Sequence, residues 1–297
     1  MSIIYEFFGM IMEFIYKNLS FNNYGLAIII FTVFIRLLIT PLSIKQIKST
    51  GKTSQMQGEL AEVQRLFKGD RERIAEETQK IYQKHNFSPL SGCFPMLIQL
   101  PIIFALNAVI REPITYILKK SASVIADAAS ALGIGAGTYP QLEIMNRLAS
   151  DPSAISQVSG FAQSEIINFN FLGINLGEIP TINFSVIFEN PGYYLPLLLI
   201  PILAAVTTYI QSLLMQKMNK SSTSGGGDQP MAAGMMKGMN VLMPIMILVF
   251  AFQVPAGLGL YWIVGNIIQI LIQYVIRTFV VKKSDDNDII EVKGKSV

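Results

Sequence analysis

Long apolar stretches separated by shorter polar ones dominate the chain. Asp, Glu, Lys and Arg are absent over 18 residues from Asn18 to Ile35, 25 from Asn86 to Ile110, 27 from Asn190 to Gln216 and 39 from Gly238 to Ile276. A helix crosses the hydrocarbon core with about 20 mostly apolar residues, so each of the first three stretches predicts one span. The first continues beyond Arg36 as far as Ile44. As a single helix the last would be roughly 58 Å long, about twice the core thickness. Val254-Pro255-Ala256-Gly257 near its middle is a turn signal, so it is read as two spans joined by a short hairpin. The expectation is an all-α polytopic membrane protein with five transmembrane helices, at about residues 23–44, 89–111, 192–216, 239–254 and 257–281.

The segments between the spans carry their own patterns. In residues 45–86, Met56, Leu60, Val63 and Phe67 recur at helical spacing. After Gly69-Asp70 the series Ile74, Thr78, Ile81 does the same, which predicts a hairpin of two amphipathic helices. The hairpin is either a soluble spacer or a docking surface for a partner or anionic headgroups. In residues 1–22, Glu6, Glu13 and Lys17 project in nearly one helical direction while Ile4, Phe7, Phe8, Ile11, Phe14 and Ile15 cover the rest. With no basic n-region and no Ala-x-Ala site, this segment reads as a helix lying in the outer interface, against the alternative of a poorly packed leader. The outer segment, 112–191, is rich in small and amide residues, with one short helix expected after Asp151-Pro152. Residues 217–238, with Gly225-Gly226-Gly227, are expected to form a flexible loop, and 282–297 a charged tail.

Composition agrees with a membrane protein: 51% of the residues are hydrophobic and 14% charged. Lys and Arg set the orientation, because cytoplasmic flanks carry the excess. With the N-terminus outside and the C-terminus inside, the inner segments hold seventeen basic residues and the outer ones five. The net charge of +3 and this sidedness argue against sequence-specific nucleic-acid binding. Cys93 is the only cysteine, which excludes an intrachain disulfide and a CxxC metal site; it is read as a small apolar filler. His85, the only histidine, is read as a solvated residue of the hairpin. No HExxH, GxSxG or P-loop pattern occurs, so the expectation is a protein that is not an enzyme and uses neither cofactor nor metal.

Arg36 carries the candidate chemistry. It lies nine residues before Lys45, hence roughly 13 Å from the cytoplasmic end of its helix, and a charge at that depth costs about 2.5 to 3.5 kcal/mol if it faces lipid. None of the five spans holds an acid to neutralise it, so a hydrated cavity is the expected surrounding. Thr32, Arg36 and Thr40 share one face of the first helix, and Gln99 and Asn107 punctuate the second. Thr207, Thr208 and Gln211 lie together in the third, and Trp262, Asn266, Gln269 and Gln273 form a stripe along the fifth. Residue by residue, amides of this kind serve equally as cavity wall or as interhelical glue. A small anion transporter or channel with Arg36 as its binding site is a second reading, which the absence of paired interrupted helices weighs against.

The run FTVFIRLLITPLS at Phe31 to Ser43, the charged hairpin, FPMLIQLPIIFA at Phe94 to Ala105 and MPIMILVFAFQVPAGLGLYWIVGNIIQILIQ at Met243 to Gln273, in this five-span order, resemble the YidC/Oxa/Alb family of membrane protein insertases. The chain is similar to the short bacterial form without a large periplasmic domain, with a longer outer segment. The resemblance implies a chaperone of the bacterial plasma membrane that inserts nascent membrane proteins through a hydrophilic groove, open to cytoplasm and lipid and closed to the outside. Its single arginine would match Arg36, and groove residues would match Gln211 and Trp262. Implied partners are nascent membrane proteins, the lipid bilayer, the Sec translocase and the ribosome or targeting machinery.

Overall fold

The computed structural model describes residues 2–85, 94–135, 137, 139–220, 232–276 and 278. They form eleven α-helices, two short 3₁₀ turns and one minimal β-hairpin. The expected flexible loop around Gly225, Cys93 and the tail 282–297 lie outside the described residues. The chain divides into two compact units: Met1–Phe34, Pro95–Val206 and Pro244–Gly265 form one, and Ile35–Phe94, Thr207–Met243 and Asn266–Val297 the other.

In the first unit, helix α1 (Ser2–Asn18) buries Phe8, Met12, Ile15 and Tyr16 and leaves Ile3, Phe7, Met10 and Phe14 exposed. The Phe8 ring lies 5.6 Å from Phe31, and Tyr5 meets Tyr116 edge-on at 6.4 Å. A helix with one apolar face on protein and another turned outward is suited to the boundary between protein and lipid. Asn23 then caps α2 (Tyr24–Leu66), its side-chain oxygen accepting from the Leu26 amide at 2.9 Å.

Helix α2 differs from expectation. It runs unbroken for 43 residues, roughly 65 Å, through Pro41 and past the charged boundary at Lys45 into the hairpin. A charge boundary marks where a helix leaves the membrane, not where its hydrogen bonding stops, and no capping residue or Gly-Pro signal stands at 45. The break comes at Gly69, with φ of 98°, and Asp70, which caps α3 (Arg71–Lys84) by accepting from the Arg73 amide at 3.1 Å. In the second unit Leu60 and Ile81 are buried against Val63 and Tyr82, joining the two arms. Lys84 lies 3.0 Å from Glu59, and His85 Nε2 lies 3.1 Å from the same carboxylate. His85 is therefore a half-buried partner of Glu59, correcting its reading as merely solvated. Both partners hold the Glu59 carboxyl below the ordinary carboxylate range, Lys84 more strongly than His85.

Helix α4 (Phe94–Arg111) is followed by an outer segment that is far more structured than expected. It contains α5 (Pro113–Tyr116), α6 (Ala122–Ala131) capped by Ser121, α7 (Pro140–Ser150) and α8 (Phe184–Glu189). The helix expected after Asp151 is a 3₁₀ helix, Pro152–Gln157, with Asp151 accepting from the Ser153 amide at 3.1 Å. Asn170–Phe171 pairs antiparallel with Ile174–Asn175 across a turn with positive φ at Leu172 and Gly173. Gln141 grips Thr115 twice, accepting from its amide at 3.1 Å and donating to its hydroxyl at 2.8 Å, while Lys120 pairs with Glu165 at 2.7 Å.

The closing elements are α9 (Pro191–Lys220), α10 (Ala232–Ala251) and α11 (Ala256–Val275). Among the described residues, three helical segments are long and apolar enough to cross a membrane: Tyr24–Ile44, Pro191–Met215 and Ala256–Val275. Leu100–Arg111 and Leu242–Ala251 are shorter apolar segments. The chain is thus a multi-pass, predominantly helical membrane protein. In the first unit the outer segment holds the start of α11: Ala256 N–H donates to the Glu178 carbonyl and Gly257 N–H to the Leu176 carbonyl, both at 2.8 Å. The Tyr139 hydroxyl donates to the Gln253 carbonyl at 2.9 Å, and the Arg111 guanidinium lies 4.8 Å above the Tyr139 ring. Residues 252–255 form the turn between α10 and α11, and free amides at a helix start must find acceptors.

Candidate functional site

The second unit brings together most of the polar residues expected within spans. Arg36 Nη1 donates to Gln269 Oε1 at 3.3 Å. Arg36 is twelve residues into α2 and Gln269 thirteen into α11, so each lies roughly 18 to 20 Å along its helix. Helices that start on the same side of a membrane would place both near the middle of the hydrocarbon. Thr40, one turn beyond Arg36, donates to the Arg36 carbonyl at 2.9 Å.

Asn266, one turn before Gln269 on the same face of α11, is buried. Its Nδ2 donates to Thr207 Oγ1 at 3.1 Å and Thr208 Oγ1 at 2.9 Å, tying α11 to α9. Gln273, a further turn along the stripe, is also buried, and Gln211 on α9 is half-buried. The opposite side of α11 exposes Ile267, Leu271 and Tyr274. The helix is therefore inverted relative to a soluble one, with amides facing protein and apolar side chains facing outward, the arrangement expected where the solvent is lipid. Gln269 is uncharged, so its hydrogen bond orients the guanidinium without removing the positive charge.

The remaining candidates fall in the first unit and play different parts. Thr32 is fully buried and its hydroxyl donates to the Ile28 carbonyl at 2.6 Å within its own helix. Trp262 is buried, its ring 5.6 Å from Phe250 in an edge-on contact that packs α11 on α10. The buried Asn107 Oδ1 has no hydrogen-bond partner among the described residues. The Gln99 side chain lies outside the described residues. Tyr139, Arg111 and the carbonyls of Leu176 and Glu178, which fix the start of α11, were not singled out in the sequence. Main-chain acceptors leave no residue signature, and Arg111 reads there only as a flanking charge.

A sequence profile described as "60Kd inner membrane protein" matches residues 14–283. Membrane protein insertase YidC 2 of Bacillus anthracis is 31% identical to the chain over 91% of its length and 78% of the relative's. The chain belongs to the YidC family of membrane protein insertases. Membrane protein insertase YidC of Clostridium perfringens (strain 13 / Type A) is 30% identical over 88% of this chain and 81% of its own. For membrane protein insertase MisCA of Bacillus subtilis (strain 168) the identity is 31%, over 91% of this chain and 76% of the relative. This membership accounts for the apolar helices and for the resemblance carried by Phe31 to Ser43 and Met243 to Gln273.

Proposed function

We propose that this YidC-family chain is an insertase and chaperone that moves nascent membrane proteins from the cytoplasm into the bilayer without bond chemistry of its own. In this reading, α2, α4, α9, α10 and α11 provide five spans in a bacterial plasma membrane, with the N-terminus outside and the C-terminus inside. The excess of Lys and Arg in the inner segments supports that orientation. The hairpin of α2 and α3 receives substrate, and the Sec translocase and ribosome or targeting machinery are its partners.

The observation that carries the reading is the polar cluster of Arg36, Gln269, Asn266, Thr207 and Thr208 on helices whose other faces expose large apolar residues. A wet, positively charged recess at mid-membrane shortens the apolar distance that a polar tail must cross. Arg36 attracts acids of the translocated tail, while Gln211, Gln273, Asn107, Gln99, Thr32, Thr40 and Trp262 contribute to the recess or its walls. The nascent span leaves sideways into lipid. Burial of about 20 apolar residues supplies the driving force, so no nucleotide site is required in the chain.

The test is reconstitution of purified protein in liposomes with a single-span substrate bearing an acidic N-terminal tail. Protease protection of that tail, without solute flux, is expected. Saturable anion uptake with no insertion would replace the insertase by a transporter centred on Arg36.

A further inference from the structure

The outer segment and the short connection between α1 and α2 carry large apolar residues in places that a water-exposed loop would not favour. Phe21 and Leu172 are 88% and 87% exposed, and both occupy the left-handed region, with φ of 52° and 51°. Bulky residues rarely adopt that conformation, and a turn tip in water would be served by Gly or Asn. Ile182, Phe184 and Phe188 are 68%, 73% and 74% exposed, and the two Phe rings stack one turn apart on α8 at 6.4 Å. Ile187 on the other side of α8 is buried.

Both groups sit beside the start of a membrane-length helix. Phe21 lies three residues before Tyr24, where α2 begins. Phe171, adjacent to Leu172, packs so tightly against Gly25 that a Cβ there would overlap its ring. Helix α8 ends at Glu189, two residues before α9 begins at Pro191. The polar Glu189 and Asn190 separate the apolar face of α8 from the apolar run of α9, as headgroup-level residues separate an interfacial helix from a span.

We propose that these five side chains form an apolar rim by which the outer segment is seated in the outer leaflet: Phe21 and Leu172 beside α2, and Ile182, Phe184 and Phe188 beside α9. The ligand is the lipid surface itself, at the boundary between headgroups and acyl chains, where an aromatic pair on a short amphipathic helix is accommodated. The chain segment 112–191 is then a membrane-seated cap, not a domain standing free in the extracytoplasmic medium. The inference rests on α2 and α9 crossing the membrane with their first residues outside, and not on the role of Arg36.

Environment-sensitive fluorophores attached at Leu172→Cys, Phe184→Cys and Phe188→Cys, one at a time in a Cys93→Ser background, test the rim. Gln157→Cys, exposed in the same segment, and Leu199→Cys, exposed on α9, serve as references. The purified protein is placed in nanodiscs of phosphatidylcholine and phosphatidylglycerol with nitroxides at a shallow acyl position. Blue-shifted emission and severalfold lipid quenching at the three rim positions and Leu199→Cys, with water-like emission at Gln157→Cys, is the expected result. Rim labels as wet as Gln157→Cys, with Leu199→Cys still quenched, would overturn the rim and leave the spans intact. Unquenched labels at both the rim and Leu199→Cys would overturn the rim together with the span reading. Rim labels shielded in native membrane vesicles but wet in nanodiscs would overturn it in favour of a protein partner.

Discussion

The Nη1 group of Arg36 on α2 and the Oε1 atom of Gln269 on α11 lie 3.3 Å apart. Gln269 orients the guanidinium without neutralising it, and that difference is testable. Gln269→Glu would place a fixed carboxylate beside Arg36 and compete with the acids of a substrate tail. Insertion of an acidic-tailed substrate is expected to fall about tenfold, equivalent to about 1.4 kcal/mol, with Arg36→Ala at least as severe and Arg36→Lys retaining most activity. A substrate whose tail acids are replaced by Asn and Gln should respond much less. Equal insertion by Arg36→Gln and Arg36→Lys on the acidic tail would eliminate electrostatic attraction and leave hydration as the role of the cluster.

Asn266 tests the other use of an intramembrane amide. Its two hydrogen bonds to Thr207 and Thr208 tie α11 to α9. Bonds of this kind contribute about 0.6 kcal/mol each and up to about 1.7. Asn266→Ala is therefore expected to cost about 1 to 2 kcal/mol in a detergent unfolding titration. Thr40→Ala, which removes a bond only within α2, should leave the unfolding midpoint nearly unchanged.

Close packing of α9 on α11 depends on Gly259, where a Cβ would overlap the Ile200 side chain. Gly259→Ala should destabilise by about 1 to 3 kcal/mol through overpacking. Ile200→Ala should recover part of that loss in the double variant. Additive losses in the Tm of single and double variants would show that the two residues do not meet.

The Glu178 side chain gives the outer segment a pH dependence. Burial pushes its carboxyl above the ordinary carboxylate range, and Glu143 adds to the rise, while the Tyr193 hydroxyl, at 3.4 Å, opposes it. The folded chain thus holds a proton that the unfolded chain releases near pH 4.3, the approximate ordinary value for Glu. Stability is highest below that value and declines as pH rises from it through the raised one. Thermal unfolding of the wild type followed against pH should show this decline, and Glu178→Gln should flatten it, because the carbonyl that accepts from Ala256 is retained. An unchanged slope in the variant would assign the pH dependence elsewhere.

Particular residues show how far the sequence could be read. Asn266, Gln269 and Gln273 stood out because helical spacing puts them on one face of an otherwise apolar helix, and Gly69-Asp70 marked a real break. Their partners did not stand out: nothing in the pattern selects Thr207 and Thr208 for Asn266, or Gln269 for Arg36, because interhelical pairing depends on packing across distant parts of the chain. Continuous α2 was obscured because the charge at Lys45 suggested a boundary. Helix α6 was missed because ASVIADAASA is nearly all small residues and so has no apolar period, although Ser121 offered a cap. Trp262, read as part of the same stripe, is buried with its ring edge-on to Phe250, a contact that no spacing in the sequence announces.

The amides that begin α11 are held by the carbonyls of Leu176 and Glu178, which any residue could supply. The acceptors themselves survive a change of side chain, but Leu176 is fully buried and must keep its bulk, and Gly177 between them cannot gain a Cβ, which would meet the Phe169 ring at 2.6 Å. Spacing is vulnerable as well. A single inserted or deleted codon between Leu176 and Glu178 would change the distance between the two acceptors and put them out of step with Ala256 and Gly257, so that for this join a change of length is a genetic hazard in its own right beside a change of letter.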